Sequence, residues 1–397
     1  MPYALDDAQQ AFVEHVRDVA ETHLSAVPAT EGRVNRPLLL EMGRHGLLRG
    51  LFGGASGEPL DLSSAGAAAM QLCLLRETLA QVSTEAETAL ALQGLGSYPI
   101  LQSGRRRTVE RWLPGVVTGE VVAAFALSEE GAGSDAAALS LAAEKVSTGS
   151  TTGSTGSTTG WVLHGEKLWI SNAPEADVYT VFARTTPGAG ARGVTAFVVP
   201  GDAPGLSGEH LELLSPHPIG RLHLDGVRVG PDDVLGEVDA GFRVAMRTLD
   251  LFRPSVGAFA VGMASAALDA TLDHVSHRQA YGGPLVEQQA VAHSLASMAT
   301  LLEASRLLVY AAASAYDAGA PRGEVTRTAA MAKLFATESA QQVVDQCVQL
   351  HGARALQRGH LLEQLYRDVR APRIYEGASE VQRSIIAREL LEERNTR

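Results

Sequence analysis

The period of the apolar residues changes twice along the chain, which divides it into three stretches. Up to about residue 120 they recur three and four positions apart, as Phe12, Val16 and Val19 do. That spacing gathers them on one face of a helix and predicts a helical region. The run Gly53-Gly54-Ala55-Ser56-Gly57-Glu58-Pro59 reads as a loop that interrupts it. From about 121 to 235 the apolar runs are short, β-branched or aromatic, and bounded by Gly, Pro and Asp. They fall at 121–127, 178–182 and 194–199 and continue in Leu222, Leu224, Val227 and Val229. Such a series predicts a small antiparallel barrel or sandwich. Residues 161–170 belong to it, with a turn expected at His164-Gly165. Beyond 235 helical spacing returns, in Leu249, Val256 and Met263 and in Val291, Leu295, Met298, Leu302 and Val309. Gly282-Gly283-Pro284 and residues 318–321 punctuate the helices, and 323–352 and 378–393 supply two more. The expected fold is α+β: an N-terminal helical domain (1–120), a middle β-domain (121–235) and a C-terminal four-helix bundle (236–397).

Residues 147–160 consist only of Ser, Thr and Gly. They have nothing to bury and are expected to form a mobile, solvated hairpin loop. With 397 residues, 45% hydrophobic and 20% charged, the chain is large enough for two or three domains or one composite unit. A formal net charge of −12 disfavours nonspecific nucleic-acid binding, which needs cations to displace phosphate counterions. No uninterrupted run of about 18 apolar residues occurs, so no membrane span is expected. The first residues lack the basic start and apolar core of a secretory signal. Cys73 and Cys347 are too few for a disulfide scaffold and read as buried thiols in a reducing cytoplasm. Of the 33 basic residues only Lys145, Lys167 and Lys333 are lysines, a usage that points to a GC-rich bacterial genome. No His/Cys cluster has zinc spacing, and no metal is expected.

Six blocks carry chemistry, in a fixed order. The first is Ala123-Ala124-Phe125-Ala126-Leu127-Ser128-Glu129-Glu130-Gly131-Ala132-Gly133-Ser134-Asp135. Then come Leu168-Trp169-Ile170-Ser171-Asn172, Asp250-Leu251-Phe252-Arg253, and 277–282 with Gln289 beyond it. Gln349-Leu350-His351-Gly352 and Ile374-Tyr375-Glu376-Gly377-Ala378-Ser379-Glu380-Val381-Gln382 complete the set. Together they resemble the acyl-CoA dehydrogenase family over nearly the whole chain. Gly-Ala-Gly-Ser-Asp alone would be a weak signal; the six blocks in an α-β-α order are a strong one.

The resemblance implies FAD-dependent α,β-desaturation of an acyl thioester. A base removes the α-proton while the β-hydride moves to flavin N5. The α-proton is weakly acidic, so the reaction needs a base held at the α-carbon and donors at the thioester oxygen. Glu376 stands at the family position of the base. A free glutamate, with a pKa of about 4.3, is a poor one, and burial would raise it. Its backbone N–H and the ribityl 2′-hydroxyl of FAD are the implied oxyanion donors. Glycine at 377 suits close approach or positive φ. Two branches of the family place the base one residue before the arginine that is here Arg253. Phe252 occupies that position and cannot act.

Ser128, with the Leu127 backbone, matches the flavin pyrimidine contact, Ser171 the N5 donor and Trp169 the ring cover. Phe125, Ala378 and Glu380 complete the implied flavin set. Arg278, Gln289 and Gln349 match residues that hold the FAD pyrophosphate and adenine, in the family on a neighbouring subunit, and Tyr281 and Gly352 are further implied cofactor positions. A homo-oligomer, tetramer or dimer, is therefore implied. Ser134, Asp250, Arg253, Tyr375 and Gly377 match substrate-binding positions. The sequence departs from the family at Ala353 for Gly, Ala378 for Thr and Tyr281 for Phe, which leaves detailed FAD contacts open. Alternatives also stand: an oxidase or tailoring dehydrogenase acting on a carrier-protein-bound acyl group, or a non-catalytic helical scaffold. The electron acceptor is an electron-transfer flavoprotein or another acceptor such as O₂.

Overall fold

The computed structural model describes residues 5–52, 68–148 and 158–396. The expected loop at 53–59 and residues 149–157 of the Ser/Thr/Gly segment lie outside them. Among the described residues eleven α-helices form: α1 (Asp7–Val19), α2 (Arg36–Arg44), α3 (Leu47–Gly50), α4 (Ala69–Val82), α5 (Thr84–Ser103), α6 (Arg106–Thr118), α7 (Gly241–His277), α8 (Gln289–Asp317), α9 (Arg322–His351), α10 (Leu361–Asp368) and α11 (Ser379–Thr396). The strands are β1 (Ala123–Ala126), β2 (Ala142–Thr148), β3 (Thr158–Ser171), β4 (Val178–Arg184), β5 (Val194–Pro200), β6 (Leu206–His210), β7 (Ile219–Val229) and β8 (Val234–Leu235), with a small hairpin of β9 (Gln279–Ala280) and β10 (Gly283–Pro284). The order is helices, sheet, helices, as the apolar periods predict. The chain forms two compact units. A helical unit comprises residues 1–26, 67–87 and 250–397, and a sheet unit comprises 27–66 and 88–249.

The sheet runs β6-β7-β3-β2-β4-β5-β8, with β1 beside β4. Most neighbours are antiparallel, but β1 is parallel to β4, Ala123 lying opposite Val178. The sheet is thus mixed where an antiparallel one was expected. β4 and β5 are buried almost throughout, which accounts for their unbroken apolar runs. His164-Gly165 is not a turn: β3 continues through it, with a register shift between Leu163 and His164. Gly165 has φ +135, and a Cβ there would lie 3.1 Å from Leu141 Cα. A bulge uses the same glycine signal as a turn. A second shift, between Lys167 and Ile170, brackets Trp169 at φ +61. β6 escaped the sequence reading because its side chains are mostly exposed and form no apolar run.

In the helical unit, α1 opens with a capping box in which the Asp6 side chain accepts from Gln9 N–H. Val16 and Val19 are buried as their spacing predicts, and α8 buries Val291, Leu295, Met298, Leu302 and Val309. Both cysteines are buried and unpaired. α7 and α8 are each long and apolar enough to cross a membrane by length and composition, although scattered polar residues break their apolar runs. In α7 83% of the most apolar window is buried inside the protein, in α8 39%.

Candidate active site

In the sheet unit the segment after β1 is fastened to the end of β3 by one buried cation. Lys167 Nζ donates to Leu127 O at 3.0 Å and to Glu129 Oε1 at 2.8 Å, and Leu168 N–H donates to Ser128 O at 3.0 Å. The Glu129 carboxylate also accepts from Ser140 N–H, the Ser140 hydroxyl and Leu141 N–H at 2.6–3.0 Å. Burial opposes its ionisation. Lys167 and these donors outweigh that and hold it below the ordinary glutamate value. Burial pulls Lys167 down to about 8, against the attraction of Glu129. The pair fixes Leu127 and Ser128 against Leu168, so their backbones have one arrangement.

Trp169 and Asn172, both at positive φ, flank the end of β3. The Asn172 amide donates to Ala123 O at 2.9 Å and its N–H to Pro218 O at 2.7 Å. Held in this bent stretch, the Trp169 indole stays 53% exposed, although the sequence around it is apolar. Ser171 Oγ lies 2.9 Å from His217 Nε2. The Phe125 ring packs at 4.9 Å from Phe182, and Ser134 is exposed between β1 and β2.

In the helical unit Glu376 and Gly377 form a left-handed step before α11, at φ +50 and +93. Two buried side chains hold their carbonyls. Lys333 Nζ donates to Gly377 O at 2.7 Å, while Gln382 Nε2 donates to Glu376 O at 3.2 Å and Gly377 O at 2.9 Å. Glutamate at positive φ is strained, and persists where its surroundings over-determine it. Glu376 Oε2 is buried without a hydrogen-bond partner among the described residues. Desolvation raises the carboxyl pKa above its ordinary value, while Arg76, Lys333 and Arg253 pull against it.

Those three cations are themselves constrained. Arg76 Nε donates to Glu87 Oε1 and its Nη1 to Ser255 Oγ at 2.7 Å. Arg253 Nη1 donates to Asp250 Oδ1 at 3.1 Å, and its Nε is buried without a partner among the described residues. Burial lowers Lys333 to about 8, and Glu376 is the first carboxylate to oppose that. Tyr375 is pushed up by burial. Arg253 thus acts on the Glu376 carboxylate, Tyr375 and Gly377 flank it in the chain, Asp250 is tied to the site through Arg253, and Phe252 is buried as apolar core. Glu380 pairs instead with Arg383 at 3.3 Å on the surface.

Arg278 is exposed after α7, Tyr281 sits at φ +55 on the β9–β10 hairpin and is 92% exposed, and Gln289 opens α8. Gln349 lies in the last turn of α9, which is capped by Gly352 at φ +66. Ala378 precedes α11. Arg76, Glu87, Glu129, Lys167, His217 and Lys333 did not emerge from the sequence as site residues. One available signal was rarity: two of the three lysines are fully buried, both against the motifs.

Domain models of the acyl-CoA dehydrogenases match residues 6–120 (N-terminal domain), 124–227 (middle domain) and 239–391 (C-terminal domain). The chain is 37% identical over 325 residues to the cyclohexane-1-carbonyl-CoA dehydrogenase of Geobacter metallireducens, covering 81% of this chain and 82% of that protein. It is 34% identical over 394 residues to the mitochondrial short-chain specific acyl-CoA dehydrogenase of Bos taurus, covering 98% and 91%. The solved butyryl-CoA dehydrogenase of Megasphaera elsdenii matches with a TM-score of 0.87 at 31% identity, covering 98% and 99%. The domain matches and these relatives define a flavoprotein oxidoreductase, and the chain belongs to the acyl-CoA dehydrogenase family. Members of that family carry FAD. The residues here fit such a group: an exposed indole two residues from a hydroxyl on the same strand end suits a flat heteroaromatic ring with a polar edge.

Proposed function

We propose that the chain desaturates the α,β-bond of a short or compact acyl-CoA thioester, with Glu376 as the base that removes the α-proton. One observation carries this reading: Glu376 presents a buried carboxylate oxygen with no hydrogen-bond partner among the described residues, at a raised pKa, on a strained step fastened by Lys333 and Gln382. A carboxylate that lacks hydrogen-bond donors is more basic than a solvated one, as proton abstraction from a thioester requires. The Glu376 N–H supplies one donor at the thioester oxygen, where negative charge develops. Arg253 and Ser134 bind the CoA portion, together with Asp250, Tyr375 and Gly377.

FAD, when bound, accepts the β-hydrogen with its electron pair. Leu127 and Ser128 would hold its pyrimidine edge, Trp169 its face and Ser171 its N5 edge; Phe125 and Ala378 are further candidate contacts, whereas Glu380 is engaged with Arg383. Arg278, Tyr281, Gln289, Gln349 and Gly352 would hold its pyrophosphate and adenine. The nearly fully exposed Tyr281 supports the implied homo-oligomer, in which these residues meet a neighbouring subunit. Electrons would pass to an electron-transfer flavoprotein in the cytoplasm. The names of the short-chain, butyryl-CoA and cyclohexane-1-carbonyl-CoA enzymes support a compact acyl group.

The test is anaerobic mixing of purified protein with a panel of short, medium, branched, cyclic and aromatic acyl-CoAs while the flavin absorption is followed. Rapid bleaching by compact acyl-CoAs is expected. A colourless protein that cannot be reconstituted with FAD would refute the reading. Turnover of acyl carrier protein thioesters alone would replace CoA as the carrier.

A further inference from the structure

His217 lies on the loop before β7, outside every recognised motif, yet its Nε2 is 2.9 Å from Ser171 Oγ. The loop is held in place: Asn172 N–H donates to Pro218 O at 2.7 Å, and at Gly32 (φ +91) a Cβ would lie 3.5 Å from His217 N. A serine hydroxyl has one hydrogen and can accept two. Resting on the reading that Ser171 faces flavin N5, its task differs between the two states of the ring. Toward the oxidised ring the hydroxyl donates, and its hydrogen is satisfied there. Toward the reduced ring, whose N5 carries a hydrogen, Ser171 must accept, and its own hydrogen needs another acceptor. We infer that His217 is a positioning residue that supplies this acceptor, so that it stabilises the reduced cofactor through Ser171. In the oxidised state the other neutral tautomer donates from Nε2 to Ser171 Oγ, so Ser171 keeps its bond to His217 in both states without a change in net protonation.

A neutral imidazole has the required acceptor and an imidazolium does not. Desolvation lowers His217 to about 4, so the ring is neutral at ordinary working pH. Without His217, the reduced state would leave a half-buried hydroxyl hydrogen unpaired, whereas the oxidised state would lose only an optional acceptance. An unmade bond at a buried donor is the costlier of the two.

The experiment is an anaerobic redox titration of the bound flavin in the holoenzyme and in His217→Phe, His217→Leu, His217→Gln and Ser171→Ala variants, with FAD affinity and thermal midpoint measured alongside. His217→Phe is expected to weaken the reduced form about tenfold relative to the oxidised one, lowering the two-electron potential by about 30 mV. His217→Leu also offers no acceptor, adds no charge, and makes the same prediction should the Phe variant fail to hold FAD. His217→Gln, whose amide can do either, should restore the potential. An unchanged potential in the Phe and Leu variants, with a shifted one in Ser171→Ala, overturns the inference and leaves the reading of Ser171 intact. An unchanged potential in Ser171→Ala as well removes Ser171 from the flavin edge.

Discussion

Lys333 reaches the Gly377 carbonyl at 2.7 Å, one peptide bond from Glu376, and so holds in place the turn that carries the carboxylate. It is also one of the three cations that oppose the rise of the Glu376 pKa, the others being Arg76 and Arg253. Desolvation makes the glutamate a stronger base, and the cations keep it ionised over a useful range. The net direction is upward.

The pH dependence follows from that sign. Only ionised Glu376 can take a proton, so kcat/KM should rise with pH through a value above that of an ordinary glutamate. Replacing Lys333 by Met removes a favourable charge and should move this acid limb to higher pH, with Gln382 still bound to both carbonyls. Initial rates from pH 5 to 9 on an acyl-CoA check it. A limb that stays in place would show that Lys333 has no electrostatic influence on the base.

Glu376→Gln keeps the size of the side chain and its left-handed backbone while removing the base. The rate of flavin bleaching should fall by roughly three orders of magnitude, towards the upper part of the range for general-base loss. FAD content and the affinity for a non-reacting acyl-CoA analogue should be retained. Stopped-flow spectroscopy measures both, and turnover within tenfold of the parent would rule out Glu376 as the base.

The contributions that sequence could not reveal are long-range ones. Glu376 and its glycine stand in a local motif, and Phe252 excludes the alternative base from its own position. Lys333 is 43 positions before Glu376 and His217 is 46 after Ser171, separations read from the numbering, and no period or turn signal connects them. Arg76 follows Leu74-Leu75 in a helix buried on most sides, where a charge has no evident partner until α5 brings Glu87 to it. The helical regions were legible because burial on one face imposes a period. β6 was not, since its exposed side chains impose none.

Lys167 is buried with Glu129, and removing one member leaves the other uncompensated. Lys167→Met should cost about 3–5 kcal/mol of stability, the usual result of breaking a buried ion pair. It also strips the Leu127 carbonyl of its donor, so FAD retention should weaken with it. Chemical denaturation of the apoprotein and flavin content after gel filtration test the two effects. A midpoint unchanged from the parent would mean that the pair contributes nothing net.

Gly377→Ala probes the backbone under the base without touching a titrating group. At φ +93 an L-residue is strained, and the added Cβ would lie 2.4 Å from Gln382 Nε2. That atom ends a side chain and can move, but moving it breaks its bonds to the Glu376 and Gly377 carbonyls. The left-handed conformation alone should cost about 1–2 kcal/mol. Displacing a catalytic group by about 1 Å can cost on the order of a hundredfold in rate, so kcat should fall by ten- to a hundredfold while FAD content stays normal. Thermal unfolding and steady-state kinetics on the same preparation separate the two consequences. Full kcat in a destabilised Gly377→Ala enzyme would mean that the left-handed step serves folding and does not aim the carboxylate.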